Sequence, residues 1–219
     1  MADGFEAMVD AAQPFFADLA KNNSKDWFEP RKDHYTTEIR KPAELFADLV
    51  AEDLSRRTGM AQTPKVFRIH RDVRFSKDKS PYNAHLHMLW SAGKDSTPAF
   101  FFAVEPGRVW TGMGFFAQGG VILTRFRKFI DRHGDALTDE LARLESEHGV
   151  TMSDYGPEPL KRVPKPYDPD HPHAELLKRK SLALGAPLAS DWREKGLLKS
   201  VEAAQAAYIP LWTLFTENF

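Results

Sequence analysis

At 219 residues, with 42% apolar and 12% aromatic side chains, the chain is long enough to bury a hydrophobic core and too rich in Phe to be disordered. It has no cysteine, which excludes disulfides and thiolate-ligated zinc and suits a cytoplasmic compartment. A formal charge of −1 gives no general pull toward nucleic acid, and no apolar run approaches the roughly 20 residues that span a bilayer, so neither partner is expected.

The first sixty residues read as helical. Phe5, Met8, Val9, Ala12, Phe15, Phe16 and Leu19 recur at intervals of three and four, the spacing of one buried helical stripe. Asn22 and Asn23 suit a cap after it, and Trp27 and Phe28 suit a connection locked onto the core. Pro30 fits the first turn of a second helix carrying Tyr35 and Ile39. Pro42 opens a third, with Leu45, Phe46, Leu49, Val50 and Leu54 as its apolar positions and Gly59 as its stop.

Residues 66–82, VFRIHRDVRFSKDKSPY, then concentrate charge in a pattern of period two. Phe67, Ile69, Val73 and Phe75 alternate with Arg68, His70, Asp72 and Arg74, as in a half-buried strand. Arg71 falls on the apolar side, where a guanidinium needs a carboxylate, carbonyls or a bound anion. Residues 76–81 read as a polar turn. From Lys65 to Lys79 there are six Lys or Arg against two Asp, a local charge of +4.

Ala84, Leu86, Met88 and Trp90 alternate with Asn83, His85, His87 and Leu89 as a second strand. AFFFAV, residues 99–104, is apolar enough for a central strand, and Glu105-Pro106-Gly107-Arg108 is a type II turn leading into a returning strand. Gly112, Gly114, Gly119 and Gly120 match no phosphate-binding fingerprint and read as turns and a bulge at a sheet end. Helices are expected over 121–133 and 135–147, with Arg125, Arg127 and Lys128 off the apolar face of the first. Residues 155–172 hold six prolines and read as a loop, before a short helix, a strand near 181–184 and a last helix from Leu197 kinked at Pro210. The expected architecture is a single α+β domain spanning residues 1–219. It has N-terminal helices, a central antiparallel sheet of about four strands and C-terminal helices.

The most chemical of these stretches is the basic one. Arg68, Arg71, Arg74, Lys77 and Lys79 supply forked and point-charge donors suited to phosphate or carboxylate oxygens. Lys161, Arg162, Lys165 and Tyr167 of the Pro-rich loop could close over them as a lid. The expected function is thus a site for a small anionic ligand, built on residues 66–82. An alternative is a non-enzymatic interaction module in which Asp72 and Asp78 neutralise the arginines. A third reading, metal-assisted hydrolysis, would use His85 and His87 with His70 and Asp72 or Asp168, although the surrounding cations oppose it, and a further, less favoured one is nucleic-acid binding, which would require a continuous basic surface. No metal or other cofactor is assigned. No cysteine or Gly-x-Ser-x-Gly nucleophile is present, so catalysis, if any, would fall to Asp72, Tyr82 or His85. Oligomeric state is not legible.

Three stretches carry a family likeness: Asn22-Asn23 with Trp27-Phe28 and Tyr35; FRIHRDVRFSKDKSPY, residues 67–82, with His85; and LKRVPKPYDPDHPHAELLK, residues 160–178. Together they resemble the conserved hypothetical proteins grouped as the domain of unknown function 2461 family. The resemblance implies an α+β domain of about this length, known from bacteria and fungi, and supplies no activity. Pro166 stands where such sequences more often have Gly, and His87 where a small residue is usual.

Overall fold

In the computed structural model, residues 3–93, 98–117, 119–153 and 155–219 are described. Helix α1 (Glu6–Lys21) buries the stripe Met8, Val9, Ala12, Phe15, Phe16 and Leu19. It ends at Asn22, whose φ of −128° is not left-handed; the residue closes the helix by donating its N–H to Asp18 and Leu19 carbonyls and its amide to Asp18. Ser24 then caps α2 (Lys25–Phe28) by accepting the Trp27 N–H. A 3-10 turn at Glu29–Arg31 holds Pro30, and α3 (Lys32–His34) leads into a π-helical turn, Tyr35–Arg40, that buries Tyr35 and Ile39. This runs without a break into α4 (Lys41–Thr58), stopped by left-handed Gly59 at φ 68°. Leu45, expected in the core, is 57% exposed, because Phe46, Val50 and Leu54 already fill the inward stripe.

Among the described residues six antiparallel strands follow: β1 (Thr63–Val66), β2 (Leu86–Ser91), β3 (Ala99–Glu105), β4 (Arg108–Phe116), β5 (Thr151–Met152) and β6 (Ser181–Pro187). Their order in the sheet is β1-β2-β3-β4-β6-β5, so the fold is α+β with six strands rather than about four. Gly112 and Gly114 lie inside β4, not at a loosened sheet end. Helix α5 (Gly119–His148) joins both expected helices across a kink at His133. After α6 (Ala174–Lys178) and β6 come α7 (Trp192–Lys195), α8 (Leu197–Ala206) and α9 (Ile209–Asn218). Pro210 sits in the first turn of α9, so the expected kinked helix is two helices.

Register divides the sheet into two unlike faces. Leu86, Met88 and Trp90 pair with Val104, Phe102 and Phe100, and these in turn with Val109, Thr111 and Met113. Helices cover this face: Phe46 of α4 meets Phe102 at 5.3 Å between ring centroids, Trp212 of α9 stacks on Phe100, and Phe126 of α5 meets Phe115. Trp90 Nε1 donates to the Ala47 carbonyl at 2.7 Å. The opposite face carries His87, Leu89, Phe101, Ala103, Trp110 and Gly112, of which His87, Leu89, Phe101 and Trp110 are partly exposed. No described helix is long and apolar enough to cross a membrane.

Candidate functional site

Beyond Val66 the expected half-buried strand does not form. Phe67 N–H still reaches the His87 carbonyl, but the two limbs of residues 69–83 pair through a His70–Tyr82 bridge and the backbone bonds Arg71 N–H to Pro81 and Asn83 N–H to Ile69. Ile69 is 5% exposed, whereas Phe67 is 38% and Phe75 96% exposed, so the alternation is present without a sheet to bury it. The excursion is fastened from α1 instead. Asn23 donates its amide to the Tyr82 carbonyl at 2.9 Å and accepts the Tyr82 N–H at 3.0 Å, making it a backbone clamp rather than a cap. The Tyr82 ring, 3% exposed, packs 4.4 Å from Phe28 and 5.2 Å from His70.

Arg71 finds its counter-charge locally: Nη1 lies 2.5 Å from Asp78 Oδ2 and 3.3 Å from the Ser80 carbonyl. Asp78 is held well below the usual carboxylate range, first by the Ser80 hydroxyl and N–H, then by Arg71. Arg74 grips Asp72 at 2.6 Å, and its hydrogen bonds keep that carboxyl low. Lys79 Nζ donates to the Val73 carbonyl at 2.9 Å. Arg68 and Lys77 are exposed and have no carboxylate within ion-pair distance among the described residues. Two of the five candidate cations are thus neutralised within the turn.

Of the catalytic candidates, Asp72 is committed to Arg74. Burial raises the pKa of the Tyr82 phenol, so it stays protonated. His85 keeps a half-buried ring 5.2 Å from His87, and burial lowers its pKa, with Glu105 and Arg71 as charged neighbours. His87 is pushed down to about 4, by burial and then by His85. Both imidazoles are therefore neutral at pH 7. The His87 ring lies 5.9 Å from Phe67 and 6.0 Å from Phe101. Lys65 sits over Phe67 at 4.6 Å and Arg108 over Trp110 at 4.6 Å.

Glycine lets these rings lie on the sheet. A Cβ at Gly112 would run into the Leu184 carbonyl and stand 2.5 Å from the Phe101 ring, and one at Gly185 would crowd both Phe101 and Trp110 at 3.2–3.3 Å. The result is a partly exposed aromatic floor, with Arg71 and His85 at one end and the Glu105–Arg108 pair beside it. His70 does not join His85 and His87, since its ring faces Phe28 and Tyr82. Among the described residues no three His, Asp or Glu are grouped to hold a metal ion.

The family model described as conserved hypothetical protein (DUF2461) matches residues 11–213. The chain belongs to the DUF2461 family. Comparison with curated proteins found no match.

In this DUF2461 protein the two basic segments do not meet. The turn 67–82 leaves β1 and enters β2 beside Leu86, Val104 and Val109. The Pro-rich loop feeds α6 and the start of β6 at Ser181, which pairs with Phe116. Three strand spacings and seven residues of β4 separate these corners, roughly 25 Å. Among the described residues no hydrogen bond or ion pair joins the expected lid to residues 67–82: Lys161, Arg162 and Lys165 are exposed, and Tyr167 lies among Asp131, Arg127 and Arg132 of α5. Asp168 caps the Asp170 N–H of its own loop. Sequence reasoning missed Asn23 as a clamp and Phe101 and Trp110 as a floor. Their signal was present in AFFFAV and in Gly112, but it emerges only once register is known.

Proposed function

We propose that this protein binds a small anionic ligand carrying a planar ring, the ring lying on the open sheet face and the anionic group at the edge formed by the basic turn. The observation that carries the reading is the partly exposed aromatic floor of Phe67, His87, Phe101 and Trp110, adjoining Arg71 and His85. Such faces gain from stacking, and arginine and lysine beside them favour a phosphate or carboxylate. Arg68, Lys77 and Lys79 contribute unspent positive charge to that edge. Neutral His85 and His87 can accept or donate a hydrogen bond without adding charge. The cysteine-free sequence supports a cytoplasmic setting.

A thermal-shift comparison tests this. Nucleoside monophosphates, as ring-bearing anions, should raise Tm, and at 100 times Kd the gain is about 2.7 kcal/mol, or roughly 5–10 °C for a chain of this size. Ring-free phosphates and carboxylates should give much smaller shifts, and Phe101→Ala should erase the difference. The Arg71–Asp78 and Arg74–Asp72 pairs favour a second reading, an interaction module in which the turn is structural. No shift across a broad panel, with Arg71→Ala simply lowering Tm, would assign the turn to that role.

A further inference from the structure

We propose that Arg125, Lys128 and Arg132 on α5 form a second anion site, independent of the sheet face, which takes one phosphate group. Spaced i, i+3 and i+7, these residues lie on one stripe of α5, where like charges one turn apart repel. They line a cleft of about 140 Å3 at the seam with α9, completed by Phe129, Asn218 and Phe219. The Arg125 guanidinium lies 4.8 Å over the Phe219 ring and donates to the Phe219 oxygen, which holds it at the wall. Lys128 and Arg132 have no carboxylate within ion-pair distance among the described residues. Asp131, the acid between them in sequence, is turned to His171 Nε2 at 3.2 Å.

Arg40 pairs with Glu44, Arg56 and Arg57 with Asp53, Arg143 with Glu140 and Glu147, and Arg193 with Asp10. A phosphate would relieve the repulsion along the stripe, accepting a planar fork from each arginine and a point charge from the lysine. The volume decides how much of a ligand enters. At about 140 Å3 the cleft is well below the ~300 Å3 at which pockets enclose whole small molecules, so it receives a charged group while the rest of the ligand stays outside.

The probe is inorganic phosphate, titrated at low ionic strength and followed through the arginine Nε–Hε resonances. Saturable, concerted shifts of Arg125 and Arg132 are expected. The double variant Lys128→Gln/Arg132→Gln, checked for fold by circular dichroism, should bind about tenfold more weakly or worse. Lys77→Gln, in the basic turn, should leave this titration unchanged, which separates the site from the sheet-face reading. Non-saturating shifts, or a double variant that titrates like wild type, would overturn the proposal. A parallel titration with glycerol phosphate identifies the source: tighter binding points to a phosphomonoester, equal binding to free phosphate.

Discussion

Asn23 does at residue scale what a sheet would otherwise do for residues 67–82. Its two hydrogen bonds to the Tyr82 backbone are partly buried, and truncation leaves both backbone groups without that partner. Asn23→Ala should cost about 2 kcal/mol and lower Tm by roughly 4–8 °C in a calorimetric melt. Asn23→Asp keeps the acceptor, loses the donor and should fall between. The His87 imidazole gives a pH prediction with a definite sign. Its folded pKa of about 4 lies below the ordinary 6.5, so the unfolded chain takes up a proton first as pH falls. The contribution is complete above pH 6.5 and is lost as pH drops toward 4. Between pH 7.5 and 5.0 it is worth about 2 kcal/mol. Urea melts of wild type and His87→Phe should diverge by that amount across the interval, and parallel curves would refute the assignment.

At the scale of elements, legibility followed burial. Leu86, Met88 and Trp90 alternate with half-buried neighbours because one face of β2 is fully buried and the other only partly, and β2 could be read directly. The helical stripes of α1 and α4 were visible for the same reason. The run 67–75 has an equally clean alternation, yet its rings face solvent, because β1 stops pairing with β2 at Val66 and Asp72, Asp78 and Ser80 satisfy the charges and backbone locally. Period two reports chemistry on two sides of a chain; it does not supply a neighbouring strand. β5, two residues long, is too short for any period. The glycines of β4 read as breakers because sequence cannot show what leans on them. Gly112→Ala should therefore cost more than about 3 kcal/mol, against the few tenths expected of an exposed strand site. At the α5 kink, a Cβ on Gly134 would run into the His173 imidazole, which bonds Asp135 at 3.0 Å. Gly134→Ala should release that ring and make the His173 resonances more solvent-exposed in NMR.

On the scale of the whole molecule, one continuous core lies between the helices and a single face of the sheet. The fold class was legible from the segregation of helical stripes and strands, and the strand order was not, since β6 inserts between β4 and β5 without a sequence signal. The candidate site was legible only in its charges. That the two basic segments occupy opposite corners, and that an aromatic face adjoins one of them, are properties of topology.

The Asn23 clamp also bears on the order of events in folding. It ties positions 59 residues apart in sequence, and the turn it holds lies outside the sheet. Closing so long a loop must await contacts that repay its entropy, so α1 and the β2–β3–β4 meander dock first and residues 67–82 settle afterwards. Stopped-flow measurements on Asn23→Ala should show faster unfolding with an almost unchanged refolding rate. The basic turn would then be the last part of the protein to take shape and the first to come away.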